Sequence, residues 1–280
     1  MHTFTGFLKQ YSLPIGIILM FLFTWPIDLS NSGVLTFQVP FLIYLFLGWG
    51  FIFASLIMTG VTLGRDAAIA LLKRFLIWRV GWKWYLVAFL LTPSIQILSV
   101  VLNSMITRTP VDFSTVFAYQ IFGPAANLPL LFLPFLLSDA ITNGEEMGWR
   151  GYVLPRLQAK YNALVSSLIL GVIWAFWHLP KFLAPGNTSS FGLFMVRIIA
   201  VAVLYTWLYN NAKGSLLLVT LFHAAGNAGG VFLPTATTVS GENTGTFIIQ
   251  IVLEIIAAVV VIIYAGAERL SRTEPKQMQE

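Results

Sequence analysis

Glu145 and Glu146 stand side by side in the run Asn143-Gly144-Glu145-Glu146-Met147-Gly148-Trp149-Arg150-Gly151-Tyr152, which closes a strongly apolar stretch. Ionisable groups at membrane depth cost roughly 2.5–3.5 kcal/mol each on insertion scales, so where they persist they tend to mark function. Histidine is scarce. His2 lies in the N-terminal segment and carries no signal, whereas His178 and His223 fall in apolar stretches, Trp174-Ala-Phe-Trp-His178 and His223-Ala-Ala-Gly-Asn227. A carboxylate, a histidine on a second segment, and a histidine with an asparagine on a third can divide one reaction between them. Glu with His activates a water, and His with Asn donates hydrogen bonds to an oxyanion, which together suit attack of water on an amide bond. Glu145, His178 and His223 also match in type and number a His₂Glu zinc site with one open position, and the sequence does not separate the two.

Helical spacing assigns the roles. His223 and Asn227 are four apart and project from one face, separated by the small Ala224, Ala225 and Gly226, which let another helix or a peptide come close. Glu146 and Arg150 are also four apart and can form an ion pair. A helix running on from the preceding apolar stretch to Arg150 would line up Asp139, Asn143, Glu146 and Arg150 as one polar stripe. Glu145 would then point about 100° away from Glu146. On this reading Glu146 belongs with Arg150 as support. Glu145, alone of the pair, faces the two histidine-bearing helices and is the candidate general base. Asp139 either tunes Glu146 or satisfies a polar residue of another helix.

Other chemistries find no footing. There is no cysteine, which excludes disulfides and thiolate chemistry. There is no H-E-x-x-H, no G-x-S-x-G, no Walker loop and no G-x-G-x-x-G after a strand, so neither nucleotide nor nucleic acid is expected as a partner.

The elements that must position these residues are membrane helices. Of 280 residues 58% are hydrophobic and 10% charged, and the mean hydropathy is +0.82. Soluble domains carry about 25% charged residues, so the fold class expected is all-α, a polytopic membrane helix bundle in a single integral-membrane domain over 1–280. On a ruler of about 20 residues per span there are eight candidates: Leu13–Leu29, Leu35–Met58, Trp84–Ile106, Ile121–Asn143, Ala163–Leu179, Phe191–Tyr209, Leu216–Phe232 and Thr246–Ala265. The first follows Lys9 as a signal peptide would, yet Phe23-Thr24-Trp25-Pro26 offers no small-x-small cleavage site, so it reads as a first span. The fourth holds Pro124, Pro129 and Pro134 and should bend.

Most of the 16 Lys and Arg fall on the side that also holds both termini, leaving Arg108 and Lys181 on the other, which places the termini in the cytoplasm. It also places the carboxylates near the cytoplasmic end of the fourth span. Residues 64–83 interleave Leu71, Leu72, Phe75, Leu76 and Trp78 with Lys73, Arg74 and Arg79, the pattern of a helix lying in the membrane interface. Residues 268–280 read as a charged cytoplasmic tail. Arg197 and Glu254, lone charges within spans, are expected to pair across the sixth and eighth helices.

Glu145-Glu146-x-x-x-Arg150, then an aromatic-x-x-x-His178, then His223-x-x-x-Asn227, in this order on three spans, resembles the CAAX-protease and bacteriocin-processing (CPBP, or Abi) family, founded on the type II CAAX prenyl endopeptidase. The wording Glu-Glu-Met-Gly-Trp-Arg-Gly-Tyr-Val-Leu-Pro-Arg-Leu-Gln at 145–158 is similar to its bacterial members. The likeness covers residues 140–232, within a motif-bearing core of 121–232. It implies that Glu145 activates the water with His178 assisting, that His223 and Asn227 form the oxyanion site, and that Glu146 positions the catalytic groups with Arg150 holding it. Trp174, as the second motif's aromatic where Phe is usual, is a positioning residue. The family was first described as metalloproteases; the resemblance favours a metal-free glutamate mechanism, with Zn²⁺ as the alternative.

The function expected is therefore an intramembrane endopeptidase of the cell membrane, multi-pass in the lipid bilayer, cutting a peptide or protein substrate, lipidated or not, near the cytoplasmic face. The alternatives are a non-catalytic scaffold or bacteriocin self-immunity factor of the same fold, and a transporter. Against the transporter, no inverted repeat is visible and the polar groups cluster towards one side.

Overall fold

A computed structural model describes residues 4–37, 39–123, 125–235 and 244–272. His2, Pro124 and the tail beyond 272 lie outside the described residues. Every regular element among the described residues is helical. The principal ones are α1 (Ser12–Asn31), α2 (Gly50–Leu63), α3 (Arg65–Lys73), α4 (Trp82–Thr107), α5 (Leu128–Thr142), α6 (Ala163–Trp177), α7 (Phe191–Asn211), α8 (Leu216–Phe232) and α9 (Thr244–Ala265). Four of them, α1, α4, α7 and α9, are long and apolar enough to cross a membrane. α2, α5, α6 and α8 are apolar but have 14, 15, 15 and 17 residues. At 1.5 Å per residue they reach only about 21–26 Å, short of a hydrocarbon core of about 30 Å.

The shortening corrects two of the expected spans. The second divides at Trp49 into Phe41–Gly48 and α2. The fourth begins at Leu128 rather than Ile121, after a short helix Ala118–Phe122 that stops at Gly123 with φ 86°. Pro129 sits in its first turn, where no N–H is needed, and Pro134 lies inside it.

Helix starts carry their own satisfaction of the free backbone donors. Asn162 accepts from Val165 N at 2.8 Å, Ser190 from Leu193 N and Ser215 from Leu218 N, opening α6, α7 and α8. Hydroxyls inside the helices fold back on their own carbonyls: Thr24 on Met20, Ser55 on Phe51, Ser167 on Ala163 and Thr206 on Ala202. Away from water an unpaired hydroxyl is costly, so this local bond lets polar side chains sit in apolar helices.

α6 packs along α7, α7 along α9, α9 along α4, α4 along α8, and α8 along α5, while α1 pairs with α2. The carboxylate segment, Glu145 to Val153, threads between α1, α2, α6 and α8. Its helical turns come so close that a Cβ at Gly148 would stand 2.3 Å from the Phe51 ring, and one at Gly16 of α1 would stand 2.4 Å from Tyr152. The core around it is aromatic, with Phe51 lying 4.7 Å from the Trp149 ring and 5.2 Å from Trp177. Arg74, just after α3, is buried and bonds the Tyr209 hydroxyl, while Ser215 Oγ donates to Ile77 O at 2.6 Å. Residues 64–83 are thereby fixed to the α7–α8 turn, with Leu76, Trp78 and Trp82 exposed. Arg197 and Glu254 pair as expected, at 3.1 Å, and Gln250 donates to the same carboxylate at 2.9 Å.

Candidate active site

The helix expected to run unbroken to Arg150 ends at Thr142. Asn143 is extended (φ −80°, ψ 101°), and its Oδ1 accepts from Glu145 N at 3.0 Å, so the chain stops and restarts at the carboxylates. Met147–Val153 then winds as a π-helix, a form that recurs at functional sites because it displaces side chains from the regular helical rows. The single polar stripe is thus corrected: the interruption turns Asp139 away from Glu146 and onto α8, where it accepts from Asn227.

Glu146 and Arg150 are both fully buried. Arg150 Nη1 donates to both carboxylate oxygens, at 2.9 and 3.0 Å. Its Nε and Nη2 make no hydrogen bond. Instead the guanidinium lies between the rings of Trp174 and Tyr205, 4.5 and 4.0 Å from their centroids, where the faces of two π-systems stabilise the cation.

Glu146 does more than pair with Arg150, which corrects the expectation that only Glu145 faces a histidine helix. His223 Nδ1 lies 2.8 Å from Glu146 Oε1, while its Nε2 lies 3.9 Å from Glu145 Oε1. A carboxylate only accepts, so Nδ1 carries hydrogen and the Nε2 edge faces Glu145. Glu145 Oε2 accepts from Trp174 Nε1 at 3.0 Å and from Trp149 Nε1 at 3.3 Å, leaving Oε1 as its free oxygen. The Glu145 side chain is 15% exposed against 0% for Glu146, so of the pair it is the one that can be reached.

His178 caps the end of α6. Its Nδ1 lies 2.9 Å from Trp174 O, which as a carbonyl only accepts, so Nε2 is the bare nitrogen. It packs against Trp177 and Phe194, with no bond to Glu145. Asn227 is exposed, one turn beyond His223, and donates from Nδ2 to Asp139 at 3.1 and 3.4 Å. Among the described residues no three His, Asp or Glu side chains are grouped closely enough to hold a metal ion. The set Glu145, His178 and His223 therefore does not form a ready His₂Glu site in this arrangement, and no step below is routed through a metal.

Gly151 packs on Leu216, at the start of α8, whereas Glu146 meets His223 seven residues further along. At 1.5 Å per residue the contact with His223 lies about 10 Å along α8 from its start.

Trp149 and Tyr205 were not singled out by sequence. Trp149 is four residues from Glu145, the spacing that already pairs Glu146 with Arg150, so the same rule finds it. Tyr205 sits in the apolar run of α7 with no local signal.

The fold and site define an all-α membrane bundle built round a buried carboxylate–histidine centre. Residues 125–229 match the family described as type II CAAX prenyl endopeptidase Rce1-like. Over 148 residues the chain is 28% identical to a CAAX prenyl protease 2 of Methanococcus maripaludis, the match taking in 49% of this chain and 52% of that protein. The chain thus spans about half the length of the curated relative it matches. Over residues 125–229 the chain is thus similar to the CAAX prenyl endopeptidases.

Proposed function

We propose that this chain is a multi-pass intramembrane endopeptidase of the cell membrane, both termini cytoplasmic, that hydrolyses a peptide bond with a water activated by Glu145 and no metal. The observation that carries this reading is the 3.9 Å gap between Glu145 Oε1 and His223 Nε2, where one water can hydrogen-bond to both. Oε2 is held by two indoles, so the free oxygen is aimed at that gap.

In the reaction, the water oxygen adds to the scissile carbonyl carbon while its proton passes to Glu145 Oε1, with His178 Nε2 assisting. The carbonyl oxygen becomes an oxyanion, received by hydrogen bonds from His223 Nε2–H and Asn227 Nδ2–H. Donors aimed at developing charge in a water-poor site are worth far more than in bulk solvent. Glu145 then returns the proton to the departing amine as the C–N bond breaks. Glu146 steadies the ring by accepting Nδ1–H, and an imidazolium at His223 together with the Arg150 guanidinium balances the two carboxylates. The name of the archaeal relative directs the substrate class to prenylated proteins ending in a C-a-a-X sequence.

The metal-free chemistry is tested with purified protein in proteoliposomes and an internally quenched prenylated C-a-a-X peptide. Prolonged dialysis against a zinc chelator leaves the rate unchanged on this reading. A loss of activity restored by added Zn²⁺ contradicts it.

A further inference from the structure

Asp139 lies outside the motifs and outside the roles just assigned, yet it holds the side chain of Asn227. It stands on α5 one turn before the break at Asn143, and its two oxygens take Asn227 Nδ2 at 3.1 and 3.4 Å. The backbone beneath Asn227 is pinned from the opposite side. Gln96 of α4 donates to Gly226 O at 3.0 Å, and a Cβ at Gly229 would fall 1.7 Å from Gln96 Oε1, so α4 and α8 are in direct contact there. With the backbone fixed, the remaining freedom of Asn227 is its two side-chain torsions, of which the amide torsion is broad and roughly two-fold.

An exposed amide on a fixed backbone can present either Oδ1 or Nδ2 to an incoming group, and the two have opposite effects. Nδ2–H stabilises an oxyanion, whereas Oδ1 repels it. A carboxylate accepts and cannot donate. Asp139 therefore selects the orientation in which the NH₂ group faces α5 and Oδ1 is turned away. Nδ2 carries two N–H groups, so one of them shared between the two Asp139 oxygens leaves the other for the reacting oxygen. We propose that Asp139 is a positioning residue that orients the Asn227 amide for the reacting oxygen. This inference rests on the proposed oxyanion role of Asn227.

The test uses the full-length protein in proteoliposomes, with the quenched prenylated peptide as probe and kcat and KM measured separately. Asp139→Ala lowers kcat by about 10-fold or more with KM unchanged, less than the 10²–10³-fold cost of losing an oxyanion donor outright. Asp139→Asn, whose own Oδ1 can still accept from Asn227, stays within about threefold of the parent. A second variant separates positioning from an independent contribution: in an Asn227→Ala background, Asp139→Ala has no further effect, because groups acting as one unit are not additive. An equal loss from Asp139→Ala with and without Asn227 overturns the proposal, as does Asp139→Asn falling as far as Asp139→Ala. If Asn227→Ala by itself leaves kcat unchanged, the oxyanion reading fails instead. A carboxylate near the C-terminal end of α5 opposes the helix dipole, so neither Asp139 variant lowers the melting temperature; a lowered melt in both assigns Asp139 to folding and overturns the proposal.

Discussion

Replacing Glu145 by Gln lowers the rate of peptide cleavage about 10²- to 10⁴-fold, the range that a general base contributes, while the bundle stays folded. The amide has the shape of the carboxylate, and its oxygen can still accept from Trp149 and Trp174, which are 3.3 and 3.0 Å from Oε2. It cannot take a proton from water. Initial rates on the quenched peptide, with a thermal melt of the same preparation, separate lost chemistry from lost structure. A Glu145→Gln protein that cleaves at the parent rate removes Glu145 from the mechanism.

The second large effect is on stability. Arg150 and Glu146 are both fully buried, so Arg150→Met leaves a carboxylate without its main partner. Removing one member of a buried ion pair costs about 3–5 kcal/mol. Here the loss is compounded because the guanidinium is also what Trp174 and Tyr205 pack against. The expected result is a strongly lowered melting temperature in detergent. The pair Glu146→Gln with Arg150→Met recovers part of it, since no uncompensated charge then remains. Arg150→Lys does not restore the parent, because a compact ammonium cannot stack between the Trp174 and Tyr205 rings as the planar guanidinium does. A single Arg150→Met variant that melts with the parent shows that the pair carries no structural weight.

The helical bundle was readable because its signals are local: long apolar runs and scarce charge. The buried pair was readable for the same reason, since Glu146 and Arg150 are four residues apart. What escaped was set by tertiary packing. The break at Asn143 arises from one side-chain bond to Glu145 N, and it redirects Asp139 to a residue 88 positions away. Helical spacing put Glu145 alone before the histidines, yet a restarted, π-wound segment brings both carboxylates to opposite nitrogens of one ring. The start of α5 was missed as well: the apolar run from Ile121 is interrupted at Gly123, and hydropathy does not register a break within an apolar run.

The most direct measurement of the central claim is mass spectrometry of the products formed when the purified chain, in proteoliposomes, is given a prenylated C-a-a-X peptide in ¹⁸O-water. The account predicts two fragments whose masses sum to that of the peptide plus one water, with ¹⁸O in the newly formed carboxylate and fragments from the Glu145→Gln variant formed at least about 100-fold more slowly. Intact peptide after prolonged incubation with the folded parent protein would contradict it.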